Sequence, residues 1–213
     1  MFVRAIIPFK PENPKTRLSC MMNREEREAF ARVMLDDVIS AVCDAGCRIT
    51  LLCTHPFTHP RADTVVKDLG LNEALNECLA TLREPVLIIM SDLPLASPES
   101  IHRLISTQCD LAIVPGRGGG TNALFIRRPW DFHVDYYGAS FLDHMAIAEK
   151  KGLTVEIVDS FRLHTDVDEK EDLVEIFLHG RQKSRKFLTD CGFSLSIEKG
   201  RVAMQRNTHE EAL

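Results

Sequence analysis

Positive charge is not in excess in this chain. Its 213 residues carry 26 Lys and Arg against 31 Asp and Glu, a formal charge of −5, and the pI is about 5.9. A general nucleic-acid binder shows a basic face and a high pI, so that class is excluded, although one small basic pocket is not. Long apolar runs are missing too. The longest near the middle, Val86 to Met90, falls far short of the ~20 residues of a membrane-spanning helix. The N-terminal MFVRAIIPFK is too short and too abruptly ended for a signal peptide. No C-x-x-C occurs, and the seven cysteines are odd in number, which speaks against a disulfide framework and for a reducing, cytoplasmic compartment. Cys43 and Cys47 have a spacing compatible with a metal, but free cysteine is among the most buried residue types. In HPFTH (55–59), Pro56 and Pro60 bar the helix that an i,i+4 zinc pair needs. Neither G-x-G-x-x-G nor G-x-x-x-x-G-K-[ST] is present, and no internal repeat is visible.

What is present is an alternation of strands and helices. VRAIIPF reads as a buried strand. The helix of NREEREAFARVMLDDVISAVCDAG follows, with Asn23 and Glu26 as a capping box and Gly46 as its end. RITLLCT (48–54) is the next strand, and 61–70 is ambiguous between a short helix and a broken strand. A helix over 71–84 stops at Pro85. VLIIMSDL (86–93) is a strand buried on both faces. SPESIHRLIST (97–107) is a helix with Ser97 as N-cap and Pro98 at its first position. Strands at DLAIVPG, TNALFIRR and TVEIVDS, and helices at SFLDHMAIAEKKG and EDLVEIFLHG, complete the pattern. FSLSIEKGRVAMQR reads as a C-terminal hairpin turning at Lys199-Gly200, lying across the sheet or against a partner chain, and NTHEEAL as a frayed tail. The alternation predicts an α/β fold, a three-layer α/β/α sandwich with a mostly parallel central sheet. One domain over 1–213 is expected, with an extension from about 181 that could meet a second copy.

Such sheets bind ligands at the carboxyl ends of their strands. PFKPENPKTRLS (8–19) lies just after the first strand and before the first long helix. With no glycine loop, anion binding there falls to side chains. Lys10, Lys15 and Arg17 sit within eight residues, and Pro11 and Pro14 stiffen the loop, which reduces the entropy lost on gripping an anion. A solvated polar loop is the plainer reading. Asp92, in MSDLPL after the most hydrophobic strand, is placed to hold Mg²⁺ through phosphate oxygens; a turn or capping aspartate is the alternative. GRGGGTNALF (116–125) offers backbone amides, with Thr121 and Asn122 beside them, or is a mobile connector. Gly138 and Ser140 open a helix whose N-terminus attracts anions. One turn in, His144 is either a ligand contact or a core histidine. Asp166 and Asp168 follow the last long strand and could join Asp92 on a cation, or Asp168 could cap a helix.

Taken in order, IPFKPENPKTRLS, GLNEAL, SDLPL, GGGTNALF, YGASFLDH and DVDEKEDL resemble the 2-phospho-L-lactate guanylyltransferases of coenzyme F(420) biosynthesis (CofC-type), within the GT-A-like nucleotidyltransferases (the nucleotide-diphospho-sugar transferase fold). The resemblance implies that 2-phospho-L-lactate and GTP are joined with release of pyrophosphate. It implies a triphosphate grip at Lys10, Lys15 and Arg17, metal ligands at Asp92, Asp166 and Asp168, and contacts to the phosphorylated acid at Thr121, Gly138 and Ser140. Leu71 and Asn72 of GLNEAL are then candidates for the purine, Asn72 being equally suited to cap its helix. Mg²⁺ as cofactor and a homodimer are implied as well. Two segments depart from the family pattern: YGASF is tighter than Gly-x-x-Ser, and Glu169-Lys170 stands where Thr-Pro is common. A same-fold enzyme acting on phosphoenolpyruvate or another phosphorylated acceptor, and a non-catalytic nucleotide-binding subunit, are the competing readings.

Overall fold

The structure, a computed structural model, describes residues 2–180, 183–198 and 200–207. In chain order it contains β1 (Arg4–Phe9), α1 (Arg24–Asp44), β2 (Arg48–Cys53), β3 (Asp63–Val66), α2 (Leu71–Thr81), β4 (Val86–Ile89), α3 (Pro98–Ile105), β5 (Leu111–Pro115) and β6 (Thr121–Ile126). Then come α4 (Ser140–Lys150), β7 (Val155–Ile157), α5 (Phe161–His164), α6 (Leu173–His179), α7 (Lys183–Asp190), β8 (Phe193–Glu198) and β9 (Arg201–Arg206). Seven strands form one sheet in the order β3-β2-β1-β4-β6-β5-β7, and β8-β9 pair separately. β6 runs antiparallel to both neighbours, and every other pairing in the large sheet is parallel. The reversal of β6 has a consequence for function. Its first residue, Thr121, comes to the same sheet edge as the carboxyl end of β4, so the glycine loop and Asp92 share one rim.

The strand period of two sorts the core into two layers. Ala5, Ile7 and Phe9 pack with Val38, Ile101 and Leu104 of α1 and α3 on one face. Ile6 and Ile88 pack with Leu75, Leu79 and Ala148 of α2 and α4 on the other. The three-layer architecture follows directly. Local signals set the helix ends: Asn23 and Glu26 form the capping box of α1, and Ser97 with Ser100 does the same for α3, with Pro98 behind the cap.

Several elements differ from the sequence expectation. The ambiguous 61–70 segment contains β3, a sheet-edge strand whose side chains are largely exposed, which explains its weak pattern. The α2 helix ends at Thr81, three residues before Glu84, because Leu82 turns to an extended conformation and packs into the second core layer. α7 is an element the sequence pattern did not predict. Its first turn is held from outside by Asp37 of α1, which accepts from the Lys183 and Ser184 amides and the Ser184 hydroxyl. The hairpin does not cross the sheet; its two strands pair apart from it. Phe193 and Met204 dock on a third cluster with Leu18, Phe30 and Leu188, and Arg206 reaches Glu26 and the Met21 carbonyl. Lys199 and all of the expected frayed tail except Asn207 lie outside the described residues.

Candidate active site

A cavity of about 370 Å³ opens along the carboxyl ends of β1, β2 and β4, with Lys10, Lys15, Leu71, Asp92 and Asp168 among its walls. The loop after β1 enters it through two left-handed residues, Asn13 (φ 43°) and Lys15 (φ 51°). Such conformations need support from their surroundings. α1 gives it: Arg27 donates to Asn13 Oδ1 at 2.8 Å and to the Pro14 carbonyl at 3.3 Å, and Glu28 accepts the Asn13 amide at 3.1 Å.

Lys15 Nζ lies 2.6 Å from Asp92 Oδ2 and 2.6 Å from Asp168 Oδ1. Burial by itself would push this ammonium down, but the two carboxylates outweigh it and its pKa is raised. Asp168 is likewise pushed up by burial, yet Lys15 carries it below the ordinary carboxylate range. Asp166 meets Arg117 Nε at 3.8 Å and the Asn122 side-chain amide at 3.3 Å; burial, and then the charge of Asp92, outweigh both and push it up. The second oxygen of Asp92, Oδ1, is buried with no hydrogen-bond partner. Among the described residues no three His, Cys, Asp or Glu side chains converge as a ready-made metal cage, since Lys15 stands between two of the three expected ligands. A Mg²⁺ ion is commonly held by only one or two carboxylates together with substrate phosphates. The unsatisfied buried oxygen of Asp92, with the Asp166 carboxylate near enough to feel its charge, fits that mode.

Arg17 is 68% exposed and reaches Asp168 and Glu169 only at 3.6 and 3.9 Å, so it remains available to an anion in solution. Asn122, expected as a substrate contact, is buried, and its amide donates to the Leu163 and His164 carbonyls at 3.0 Å each. It thereby ties the strand to the acidic loop. A side chain at Gly116 would stand 2.2 Å from Asn122 Oδ1, which accounts for that glycine. Arg117 completes the tie. It donates to the Asp166 carbonyl at 2.6 Å and pairs with Asp172 at 2.7 Å. Asp172 in turn accepts the amides of Asp168 and Glu169 at 2.8 Å, and the Val167 amide meets the Asp92 carbonyl.

On the other side of the rim, Thr121, Ser140 and His144 form one buried knot. The Asp135 amide donates to His144 Nε2 at 3.1 Å, which leaves the proton on Nδ1, 3.0 Å from Thr121 Oγ1. The Ser140 hydroxyl donates to the same Thr121 oxygen at 3.3 Å. Burial pushes His144 down to about 4, so it is neutral at physiological pH. Gly138, at φ 77°, makes the left-handed turn into α4. Asn72 neither caps α2, whose N-cap is Gly70, nor is among the residues lining the cavity. Its amide donates to Asp135 at 2.7 Å and accepts the Tyr136 amide at 2.7 Å, holding the segment before Gly138.

The model of the family described as "Guanylyl transferase CofC like" matches residues 3–208. The chain belongs to the CofC-like guanylyl transferase family. It is 59% identical to 2-phospho-L-lactate guanylyltransferase of Methanoculleus marisnigri over the whole of both chains. It is 55% identical to the protein of that name in Methanocorpusculum labreanum, over 99% of each. Among solved structures, a nucleotide-diphospho-sugar transferase type protein of Desulfovibrio desulfuricans G20 matches at TM-score 0.76 and 16% identity, covering 89% of this chain and 95% of that one. A nucleotidyl transferase of Methanothermobacter thermautotroptrophicus matches at 0.60 and 12% identity, covering 89% and 99%. At such identities the structural matches establish the fold. Of the residues that organise this CofC-like site, Arg27, Arg117 and Asp172 escaped the sequence reading. A buried position for Asp172 and the partners of the two arginines are long-range facts with no local pattern to announce them.

Proposed function

We propose that this chain is a guanylyltransferase that joins 2-phospho-L-lactate to GTP, giving lactyl-2-diphospho-5'-guanosine and pyrophosphate, in coenzyme F(420) biosynthesis. The observation that carries the reading is the Lys15 ammonium set between Asp92 and Asp168 at one end of a nucleotide-sized cavity. Family membership and the name borne by its full-length relatives support it.

The chemistry follows from charge. The acceptor phosphate has a second pKa of about 6 and is ionised near neutrality, so no strong general base is required. One of its oxygens attacks the α-phosphorus of GTP, the α–β bridging bond breaks, and pyrophosphate leaves. The obstacle is bringing two polyanions together. Lys10, Lys15 and Arg17 would neutralise the triphosphate, Arg17 in bidentate fashion and the lysines as point charges. Asp92 and Asp166, with Asp168 once Lys15 turns to phosphate, would hold Mg²⁺. Bound there, Mg²⁺ would offset charge on the triphosphate and the departing pyrophosphate. Thr121, Gly138 and Ser140 would receive the acid's phosphate and carboxylate, with His144 and Asn122 behind them. The remaining contribution is in-line positioning.

We read the chain as one nucleotidyltransferase domain acting in the cytoplasm, and as a homodimer through the hairpin, where Ile197 is 80% exposed; sedimentation of the full chain tests the last point. Pyrophosphate release with GTP, Mg²⁺ and 2-phospholactate tests the function. Release only with phosphoenolpyruvate or another acid would reassign the acceptor. Binding of GTP with no release under any acceptor would make the chain a non-catalytic nucleotide-binding subunit.

A further inference from the structure

The cavity does not end at the ion-pair cluster. It continues along the sheet rim to Lys67, the residue directly after β3, with Thr54, Leu69, Leu71 and Ala74 beside it. The rim order is fixed by the sheet, since Asp92 follows β4, Lys10 follows β1, Thr54 follows β2 and Lys67 follows β3. Neighbouring strands are about 4.8 Å apart, so Lys67 lies about 14 Å along the rim from the acidic end. If the triphosphate occupies the end with Lys15 and Asp92, an extended nucleotide directs its base toward Lys67. That region is suited to a flat ring, because Leu69, Leu71 and Ala74 are apolar. The one charged wall there is cationic and is itself held. Lys67 Nζ pairs with Glu77 Oε2, and its backbone amide is fixed on the Cys53 carbonyl at 2.9 Å. Leu71, Ala74 and Glu77 recur every three residues along α2, so Glu77 stands one step beyond the apolar stripe that lines the cavity.

Guanine and adenine differ where such a cation would sit. Guanine presents two neighbouring acceptors, O6 and N7, whereas adenine presents N7 beside an amino donor. An ammonium fixed opposite that edge attracts the first and faces a like donor on the second. We propose that Lys67 selects guanine by donating from Nζ to O6 and N7 of the base, with Glu77 as the positioning residue that keeps the ammonium at the cavity wall. The inference rests on the guanylyltransferase reading, which puts the triphosphate at Lys15 and Asp92 and so gives the nucleotide its direction.

Direct titration of the full chain with GTP, ITP and ATP tests it without requiring turnover. ITP keeps O6 and N7 but lacks the 2-amino group. The unaltered chain should bind GTP and ITP comparably and ATP at least 10-fold more weakly. Lys67→Met, which retains an apolar stem of similar length, should weaken GTP and ITP by roughly 10- to 100-fold and leave ATP within about twofold, collapsing the GTP-to-ATP ratio. Glu77→Gln, at an exposed helix position, should reduce the same ratio several-fold, and serves if Lys67→Met fails to fold. Equal affinity of the unaltered chain for GTP and ATP would overturn the proposal. So would an equal loss for all three nucleotides in both variants, the signature of a general charge effect on phosphate. If pyrophosphate release fails with every acceptor while the GTP-to-ATP ratio still collapses in the variants, the transferase reading falls and the assignment of Lys67 stands.

Discussion

The two oxygens of Asp92 have unlike surroundings. Oδ2 meets Lys15 at 2.6 Å, whereas Oδ1 is buried and unpartnered. A purely structural aspartate would use both. Asp92→Asn keeps the volume, removes the charge and leaves the packing of Leu93 and Leu95 alone. We expect turnover to fall by about 100-fold or more, with the melting temperature changed by only a few degrees; pyrophosphate release and a thermal melt on the same preparation check both. Arg17 gives the complementary case. Its exposed guanidinium makes only loose ion pairs at 3.6 and 3.9 Å, worth little to stability. Arg17→Ala should leave the melting temperature unchanged and weaken GTP, as read by titration calorimetry. That Lys10, Lys15 and Asp92 line one cavity could be anticipated because each lies just after a strand or within one loop. Asn72, expected as a base contact or a cap, does not cap α2, whose N-cap is Gly70. Its two bonds to residues 135 and 136 join positions more than sixty residues apart, and no local pattern encodes them.

Among the elements, α7 depends on a residue from another helix. Asp37 accepts three hydrogen bonds at its start, and burial pushes this carboxyl up despite them. Removing it leaves the amides of Lys183 and Ser184 without these acceptors. Asp37→Ala should therefore cost about 2–3 kcal/mol, seen as a lower denaturation midpoint in urea. Turnover at low temperature should be preserved, since Asp37 lies more than two helical turns past Arg27, the α1 residue that braces the Asn13–Lys15 loop. KSRKFLTD shows weak helical signals, and an N-cap supplied across 146 residues is invisible to inspection of that stretch. By contrast α1 and α3 carry their own caps within three residues, which is why both were placed correctly.

At the scale of the whole molecule, pH acts through His144. Its folded pKa is lowered to about 4 by burial against a usual 6.5. Between those values the unfolded chain binds a proton that the folded chain refuses. The contribution is complete above about pH 6.5 and is lost as pH falls toward 4. The shift corresponds to about 3 kcal/mol. Melting temperature should fall with acidification across that window. In His144→Asn, whose amide can still donate to Thr121 without titrating, that part of the slope should disappear; melts at half-unit pH steps measure it.

Local pattern determined the alternation of strands and helices, the buried strands, the capping boxes, and the rule that strand ends carry the chemistry. Each of these depends on residues a few positions apart. Tertiary structure decided the rest. The antiparallel insertion of β6 brings Thr121 and Asp92 to one rim. A lysine 77 residues from one aspartate and 153 from another becomes their shared counter-ion. Arg117 and Asp172 fix the acidic loop. Burial and electrostatic pairing depend on which distant segments come to share a volume, and a one-dimensional order of residues specifies that only through the completed fold.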